Sequence, residues 1–270
     1  MAPRTARPRL VATDLDGTVV RSDGTVSART VAAFARVEAA GGQVALVTGR
    51  PPRLMGGIGE TFGHQGAAIC SNGALILDLA TGKVVEENPI AVPALVEAAR
   101  RLRAAVPGIG LGVEYAFELA ADPLYEAGDW DADVAIDRVQ DPELFGRPAP
   151  KLLGKHPELS ADELLALARP ALDGLVNVYH SNGTRLIEAV APGVSKASAL
   201  ADLAAAHGID RTEAVAFGDM PNDLPMMAWA GTSYAVANAH PDVLAAVDHV
   251  IGGHDQDGVA AVLELLFEQD

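Results

Sequence analysis

The sequence predicts an α/β fold: a doubly wound parallel sheet carrying an inserted α+β domain. Three observations predict it. Short apolar, β-branched runs alternate with helix signals up to residue 82, the pattern of βαβ units. That texture gives way to mixed hairpins and helices over 83–188 and returns after Pro192-Gly193. Each strongly polar motif follows a strand of the first texture, and the carboxyl ends of parallel strands share one sheet edge, where such folds bind ligands. Segments 1–82 and 189–270 are therefore expected to build one discontinuous core, with 83–188 inserted between them.

In chain order, Leu10-Val11-Ala12-Thr13 is a buried strand that exits into Asp14-Leu15-Asp16-Gly17-Thr18. Ser27 can cap a helix that runs to about Ala40, carries Val31, Phe34 and Ala35 on an apolar stripe, and stops at Gly41-Gly42. Residues 43–47 form the next strand, ending at Thr48-Gly49-Arg50, and Pro51-Pro52 suits a helix start. Residues 67–70 form a third strand, ending at Ser71-Asn72-Gly73, and Leu75 to Leu79 with Val84-Val85 form a hairpin around Thr81-Gly82. In the insert, helices are expected near 93–105 and 161–168, and strands at 109–113, 151–153, 176–179 and 186–189. The stretch 121–150 is rich in Asp, Pro and Gly and poorly periodic. Beyond the insert come a helix over 195–206, a strand over 214–217 ending at Gly218-Asp219, and a helix over 222–230 with Asn222 as its N-cap. Late strands at 234–236 and 249–251 and a helix over 257–267 complete the core.

Of the 270 residues, 49% are hydrophobic, which favours a sizeable core over wholesale disorder. A net charge of −16 argues against a nucleic-acid partner bound by general electrostatics. It does not exclude a phosphorylated substrate, because repulsion is screened beyond about 8–10 Å and local cations decide binding. Cys70 is the only cysteine, so it forms no internal disulfide and reads as a small buried residue. No apolar run reaches transmembrane length, and no membrane partner is expected. Arg4, Arg7 and Arg9 open a short arm in which Asp14 and Asp16 interrupt any signal-peptide core, so a cytoplasmic location follows by default. A monomer or homodimer is expected.

Asp14 and Asp16 lie two apart at a strand end, so their carboxylates face the same way. Folding gains nothing from this, because like charges raise each other's pKa and cost energy when desolvated. A hard cation offsets the repulsion, and Mg²⁺ prefers such oxygen ligands. An EF-hand loop is excluded by Val19 and Val20, which occupy positions that need polar residues or Gly. With Thr48, Lys196, Asp219 and Asp223 at the same predicted edge, the set suits phosphoryl transfer. Asp14 is the expected nucleophile, giving an aspartyl phosphate that water hydrolyses. Asp16 is expected to protonate the leaving group and then activate water. Asp14, the backbone carbonyl of Asp16, and Asp219 would hold Mg²⁺, opposed by donors from Thr48 and Lys196. Each motif alone has a plainer reading, as a polar strand exit, a solvated helix lysine or a capped helix start. Their occurrence together and in order favours the chemistry, and Lys196 is one of only four lysines among 20 Lys and Arg.

These residues resemble the four motifs of the haloacid dehalogenase superfamily: Asp14-Leu15-Asp16-Gly17-Thr18, Thr48-Gly49-Arg50, Lys196, and Gly218-Asp219-Met220-Pro221-Asn222-Asp223. Ser71-Asn72-Gly73-Ala74 and Pro192-Gly193-Val194-Ser195-Lys196 resemble its Cof-type subfamily, whose large C2B-like cap lies between the second and third motifs. The resemblance covers nearly the whole core. It implies a Rossmann-like core, an α+β cap over the site, Mg²⁺ dependence, and phosphatase activity on a small phosphorylated metabolite (a sugar phosphate, nucleotide or cofactor phosphate). It further implies that Asp223 supports the metal through water and that Asn222 lies near the phosphoryl group. Thr48, Gly49, Arg50, Asn72 and Gly73 are expected on the phosphate or substrate. One departure is Ala197, where relatives usually carry Gly; Ala is the better helix former. In the insert, Glu114, Tyr115, Tyr125, Trp130 and His180 are candidates to face a ligand.

Two rival readings use the same residues. A phosphomutase or phosphotransferase would need the insert to exclude water while a second hydroxyl attacks. A non-catalytic sensor of phosphorylated metabolites would gain little from a nucleophile. Gly108-Ile109-Gly110-Leu111-Gly112 lacks the following helix of a dinucleotide site. The seven histidines show no zinc spacing, and with one Cys no transition-metal site is expected.

Overall fold

The computed structural model describes residues 7–63, 66–128, 131, 134–181 and 185–268. The first stretch comprises β1 (Leu10–Thr13), α1 (Ala28–Ala39), β2 (Gln43–Val47), α2 (Ile58–Phe62), β3 (Ala67–Cys70), β4 (Leu75–Asp78) and β5 (Lys83–Glu87). The middle stretch comprises α3 (Val92–Ala105), β6 (Gly110–Glu114), β7 (Leu119–Ala121), β8 (Ile136–Arg138), α4 (Asp141–Leu144), β9 (Lys151–Lys155), α5 (Ala161–Leu172), β10 (Asn177–Tyr179) and β11 (Leu186–Val190). The last comprises α6 (Lys196–Ala206), β12 (Ala214–Gly218), α7 (Leu224–Trp229), β13 (Thr232–Val236), α8 (Pro241–Leu244), β14 (His249–Ile251) and α9 (Gly258–Leu266).

The strands form two sheets. The larger has the order β14-β13-β12-β1-β2-β3-β4-β5. It is parallel from β14 to β3, and β4 and β5 close it as an antiparallel hairpin. The smaller has the order β10-β11-β9-β6-β7-β8 and is antiparallel except between β7 and β8. β1 pairs with β2 on one side and β12 on the other, so the chain reverses its direction of sheet growth there. A crevice at such a switch point is where an open α/β sheet binds ligands.

Local chemistry explains the main helices. Ser27 accepts the Thr30 N–H and caps α1, whose Ala33, Phe34 and Val37 are buried; such a cap contributes about 1 kcal/mol. Ser160 and Glu163 form a reciprocal capping box that starts α5. Leu95, Ala98 and Leu102 of α3 and Leu164, Ala168 and Leu172 of α5 form one apolar cluster with Leu111, Val113, Leu152 and Ile187 of the smaller sheet. Each sheet thus has a core of its own.

Several elements differ from the sequence expectation, each for a physical reason. Residues 83–87, expected in the insert, pair with β4 in the larger sheet. β5 is the exposed edge strand of the hairpin expected around Thr81-Gly82, so the boundary at residue 83 cuts through that hairpin. At the other boundary, β11 runs unbroken through residues 189–190 within the smaller sheet. After Pro51-Pro52 there is only a 3₁₀ turn (Pro52–Leu54) and the short α2, because Gly57 sits at φ 77 and breaks the helix. Asn222 is not an N-cap; it lies inside a 3₁₀ turn (Pro221–Asp223) that precedes α7. Asp223 holds the N-cap position but its side chain does not cap α7; it turns back to accept the Asp219 and Met220 N–H groups of the preceding loop at 3.0 Å each.

Candidate active site

The carboxyl ends of β12 and β1 carry the acidic motif residues side by side, and the end of β2 adds Thr48-Gly49-Arg50. The Asp14 N–H donates to the Phe217 carbonyl (3.0 Å), which continues the β1–β12 ladder one residue past the strand. This fixes Asp14 beside the loop that begins at Asp219. Gly17 has φ 75, and a Cβ there would overlap the Asp219 carboxylate. Only glycine lets the turn after Asp16 approach so closely. The Thr18 hydroxyl donates to Asp219 Oδ1 (3.1 Å) from the same turn.

Carboxylate oxygens of Asp14, Asp219 and Asp223 lie within 4.8 Å of one another. One cation stands among them. Lys196 opens α6 and is fully buried; its Nζ donates to Asp14 Oδ1 (2.5 Å) and Asp223 Oδ1 (2.6 Å). Ser195, the N-cap of α6, fixes that first turn through Ser198. Asp223 is satisfied on both oxygens, by Lys196 and by the two loop N–H groups. Three carboxylates facing one ammonium leave negative charge uncompensated.

The electrostatics follow. Burial pushes the Asp14 carboxyl up to about 7; Lys196 pulls it down, while Asp223 and Asp16 push it further up. Burial, then the charges of Asp14 and Asp223, raise Asp219 well above the carboxylate range. Burial works against the Lys196 ammonium, but Asp14 and Asp223 outweigh it and raise its pKa. A hard divalent cation is the ligand that such oxygen donors and excess negative charge fit.

A pH dependence follows. An unfolded Asp loses its proton near 3.8, whereas Asp14 in the metal-free fold holds it to about 7. Between those values the folded state binds a proton that the unfolded state has released, so metal-free stability falls as pH rises through this window. In chelator, the melting temperature is expected to drop between about pH 5 and about pH 8, and added Mg²⁺ to raise it more at the higher pH. A Mg²⁺ effect equal at both pH values would separate the ion from this cluster.

Asp16 does not join the carboxylate cluster. Arg50 grips it in a two-point pair, Nη2 to Oδ1 at 2.5 Å and Nε to Oδ2 at 2.7 Å. The Thr48 hydroxyl accepts the Arg50 N–H (3.0 Å), and Arg50 Nη1 also donates to the Leu54 carbonyl (3.0 Å). Behind this layer, Ser71, Asn72 and Gly73 take positive φ values of 50, 55 and 99. Backbone bonds from Ser71 to the Arg50 carbonyl (2.9 Å) and from Asn72 to the Thr48 carbonyl (3.0 Å) hold this unusual turn. The Asn72 amide is occupied, donating to Glu188 Oε2 (3.0 Å) and accepting from Asn222 Nδ2 (2.9 Å).

A cavity of about 710 Å³ lies between the two sheets' units, with Asp14, Asp16, Thr48, Gly49 and Arg50 on its wall. Asn72, Gly73 and Asn222, expected on the substrate, are buried and are not among the described residues that line it. Of the candidates in the middle stretch, Glu114 and Tyr125 line the cavity. Tyr115 instead lies under the Arg147 guanidinium, 3.6 Å from ring centroid to Cζ. His180 is buried away from the cavity and pairs with Asp162. Trp130 lies outside the described residues.

The sequence reading missed Lys151 and Glu188. Lys151 Nζ lies 2.8 Å from Glu114 Oε2 and 2.7 Å from Glu188 Oε1, and it donates to the Gly49 carbonyl (2.7 Å). Burial opposes the Lys151 charge, but Glu114 and Glu188 raise its pKa; burial likewise opposes Glu188, which Lys151 nonetheless holds low. This charged network seats the smaller sheet on the Thr48-Gly49 turn. The available signal was a Glu inside an apolar strand, Leu186-Ile187-Glu188-Ala189-Val190. An isolated charge in a buried strand requires a partner.

The family model for haloacid dehalogenase-like hydrolases matches residues 11–263. The chain is 27% identical to the 5-amino-6-(5-phospho-D-ribitylamino)uracil phosphatase YbjI of Escherichia coli, over 97% of each chain. It is 28% identical to the pyridoxal phosphate phosphatase YbhA of the same organism, over 93% of this chain and 96% of that one. A solved phosphatase of the haloalkanoate enzyme superfamily from Bacteroides thetaiotaomicron has the same fold, with a TM-score of 0.82 at 22% identity and 98% coverage of both chains. Among the described residues, no helix is long and apolar enough to cross a membrane.

Proposed function

Since the chain belongs to the haloacid dehalogenase-like hydrolases, we propose that it is a Mg²⁺-dependent phosphoric monoester hydrolase that cleaves a small phosphorylated metabolite through an aspartyl phosphate on Asp14. The observation that carries this reading is the buried Lys196 bridge between Asp14 and Asp223, at the edge where Asp219 completes the acidic cluster. A structural ion pair needs neither a third carboxylate nor a cavity opening onto Asp14.

Lys196 holds and orients one Asp14 oxygen and favours the ionised carboxylate against the effect of burial. The other oxygen attacks phosphorus as the bond to the ester oxygen breaks. Asp16 gives that leaving oxygen its proton, then takes a proton from the water that attacks phosphorus. This second displacement breaks the phosphorus–Asp14 bond and returns the carboxylate and free phosphate. A protonated Asp16 cannot keep its full ion pair with Arg50, so Arg50 turns its charge toward the phosphoryl oxygens in the cavity it lines. Thr48 and Gly49 stand on the same wall as further donors. Asp14, the Asp16 carbonyl and Asp219, supported by Asp223, would hold Mg²⁺, which would supply neutralisation of phosphoryl charge.

The unit built on the smaller sheet is then the substrate-specificity cap. Glu114, Tyr125 and Lys155 from that unit line the cavity. Two relatives of nearly equal identity carry the names of different substrates, a ribitylaminouracil phosphate and pyridoxal phosphate. The substrate class therefore stays at sugar phosphate, nucleotide or cofactor phosphate. A panel of phosphate esters assayed with Mg²⁺ and with chelator tests the reading. Free phosphate released only with Mg²⁺ is expected. An isomeric phosphate ester in place of free phosphate would make the protein a mutase, and no turnover of any ester would overturn the proposal.

A further inference from the structure

We propose, resting on the phosphatase reading, that the substrate is a phosphate monoester with an uncharged, hydroxyl-bearing leaving group. The wall supplied by the smaller-sheet unit rejects esters that carry a second anion, such as a carboxylate or another phosphate. Cations that can meet a phosphoryl group stand at one end of the cavity, where Arg50 lines the wall and Lys196 holds Asp14. Farther along, the balance of charge has the opposite sign.

Side chains alternate along a strand, so β9 turns Lys151, Leu153 and Lys155 toward the cavity, and β11 turns Leu186 and Glu188. Lys151 marks the inner end, because it reaches the Gly49 carbonyl (2.7 Å). Lys155 lies four residues along, about 13 Å outward. At the inner end both cations are already engaged. The three protons of Lys151 Nζ have three acceptors, in Glu114, Glu188 and the Gly49 carbonyl. Arg53 Nη2 donates to Glu114 Oε1 (2.6 Å) and Asp131 Oδ1 (3.3 Å). Three buried carboxylates thus face two buried cations. Leu153 follows, in an apolar cluster with Tyr125 and Leu186. At the outer end Lys155 and Arg185 share the wall with Glu126, Glu158 and Glu163. Arg185 donates there to the Pro157 carbonyl, and His156 Nδ1 accepts the Glu158 and Leu159 N–H groups at 3.2 Å each.

Among the described residues, carboxylates therefore outnumber cations at both the inner and the outer end of this wall. A hydroxyl group suits such a lining, because it donates to a carboxylate. A substrate carboxylate or second phosphate has no proton to give and meets like charge. That repulsion is strongest at the inner end, where buried charges are screened little by water and salt. Placed like charge is a common source of discrimination between otherwise similar ligands. Size does not account for the exclusion, since a cavity of about 710 Å³ has ample room beyond one phosphoryl group.

Two matched pairs of esters test the wall. In each, a hydroxymethyl group is exchanged for a carboxylate: near the reacting bond in 2-hydroxyethyl phosphate and 2-phosphoglycolate, and at the far end in glucitol 6-phosphate and 6-phosphogluconate. With Mg²⁺, kcat/KM is expected to favour the neutral member of each pair at least about tenfold. Calorimetry on Asp14→Asn, which keeps the wall and cannot turn over, is expected to rank the affinities in the same order. Asp131→Asn removes one inner carboxylate and keeps the shape of the side chain. It is expected to shrink the preference several-fold, with circular dichroism to verify its fold. Equal or tighter binding of the anionic member in either pair would overturn the proposal, as would failure of both neutral esters to bind. A preference that a folded Asp131→Asn leaves unchanged would overturn it too. Absence of phosphate release from every ester would instead end the phosphatase reading, and the calorimetric ranking would still decide the character of the wall.

Discussion

Asp14→Asn is expected to abolish Mg²⁺-dependent release of phosphate from an aryl phosphate ester, with a loss on the order of 10⁴-fold or more, the scale seen when a covalent nucleophile is removed. Asn matches Asp in shape but its amide cannot form the acyl phosphate. The variant also separates chemistry from folding. Burial, with the charges of Asp223 and Asp16 adding to it, pushes the Asp14 carboxyl up to about 7, so its ionised form is a burden on the metal-free fold. Asp223 remains to hold Lys196. The melting temperature in chelator at about pH 8 is therefore expected to match or exceed that of wild type while activity disappears. Wild-type rates in the variant would eliminate covalent catalysis at this residue. Loss of activity together with a large drop in melting temperature would mean that Asp14 acts on the fold.

The parts of the site legible in the sequence were those set by strand ends. Asp14, Thr48 and Asp219 each follow an apolar run, and parallel pairing of β1 with β2 and β12 forces those ends together. Lys196 was legible as a helix-start lysine, and its burial follows from α6 beginning where Gly73 meets it closely. A Cβ on Gly73 would overlap the Ser195 carbonyl, so the Ser71-Asn72-Gly73 turn has a packing reason as well as any role near substrate. Side-chain partners were less legible. Nothing in the spacing of Asp16 and Arg50 indicates that the guanidinium occupies both carboxylate oxygens. Nor does it show that the Asn222 amide donates to Asn72 Oδ1 behind the cavity wall.

The middle stretch was hardest to read, for two reasons. Its strands are short and partly exposed, so β7, β8 and α4 within 121–150 or at its edge leave almost no periodic signal. Its functional side chains also depend on contacts far apart in sequence. Lys151 has value only because Glu114, Glu188 and the Gly49 carbonyl converge on it. Composition shows a lysine at the head of an apolar strand, and topology alone shows what it grips. The boundary at residue 83 is a different case: β5 is the second strand of the local hairpin expected around Thr81-Gly82, and the boundary ran through that hairpin instead of after it.

Lys196→Met carries the second large expectation, and here stability and activity move together. Met keeps the length of the side chain and removes its charge, leaving Asp14, Asp219 and Asp223 with no ammonium among them. Breaking a buried pair by deleting one partner costs about 3–5 kcal/mol, so urea unfolding in chelator at about pH 8 is expected to show a loss of that size. The loss depends on pH with a definite sign. Lys196 lowers the Asp14 pKa; without it Asp14 and Asp219 hold their protons to still higher pH. At about pH 5 both are then neutral in the folded variant and need no cation, so the difference from wild type shrinks. Added Mg²⁺ is expected to restore part of the stability at about pH 8, because a divalent ion supplies the missing positive charge. Turnover is expected to fall by about 10²–10³-fold, the cost of removing one preorganised donor from a site of developing charge. A stability loss equal at both pH values would show that Lys196 acts through packing. The buried ammonium would then not be what balances these carboxylates, and the account of the site built on that balance would fail.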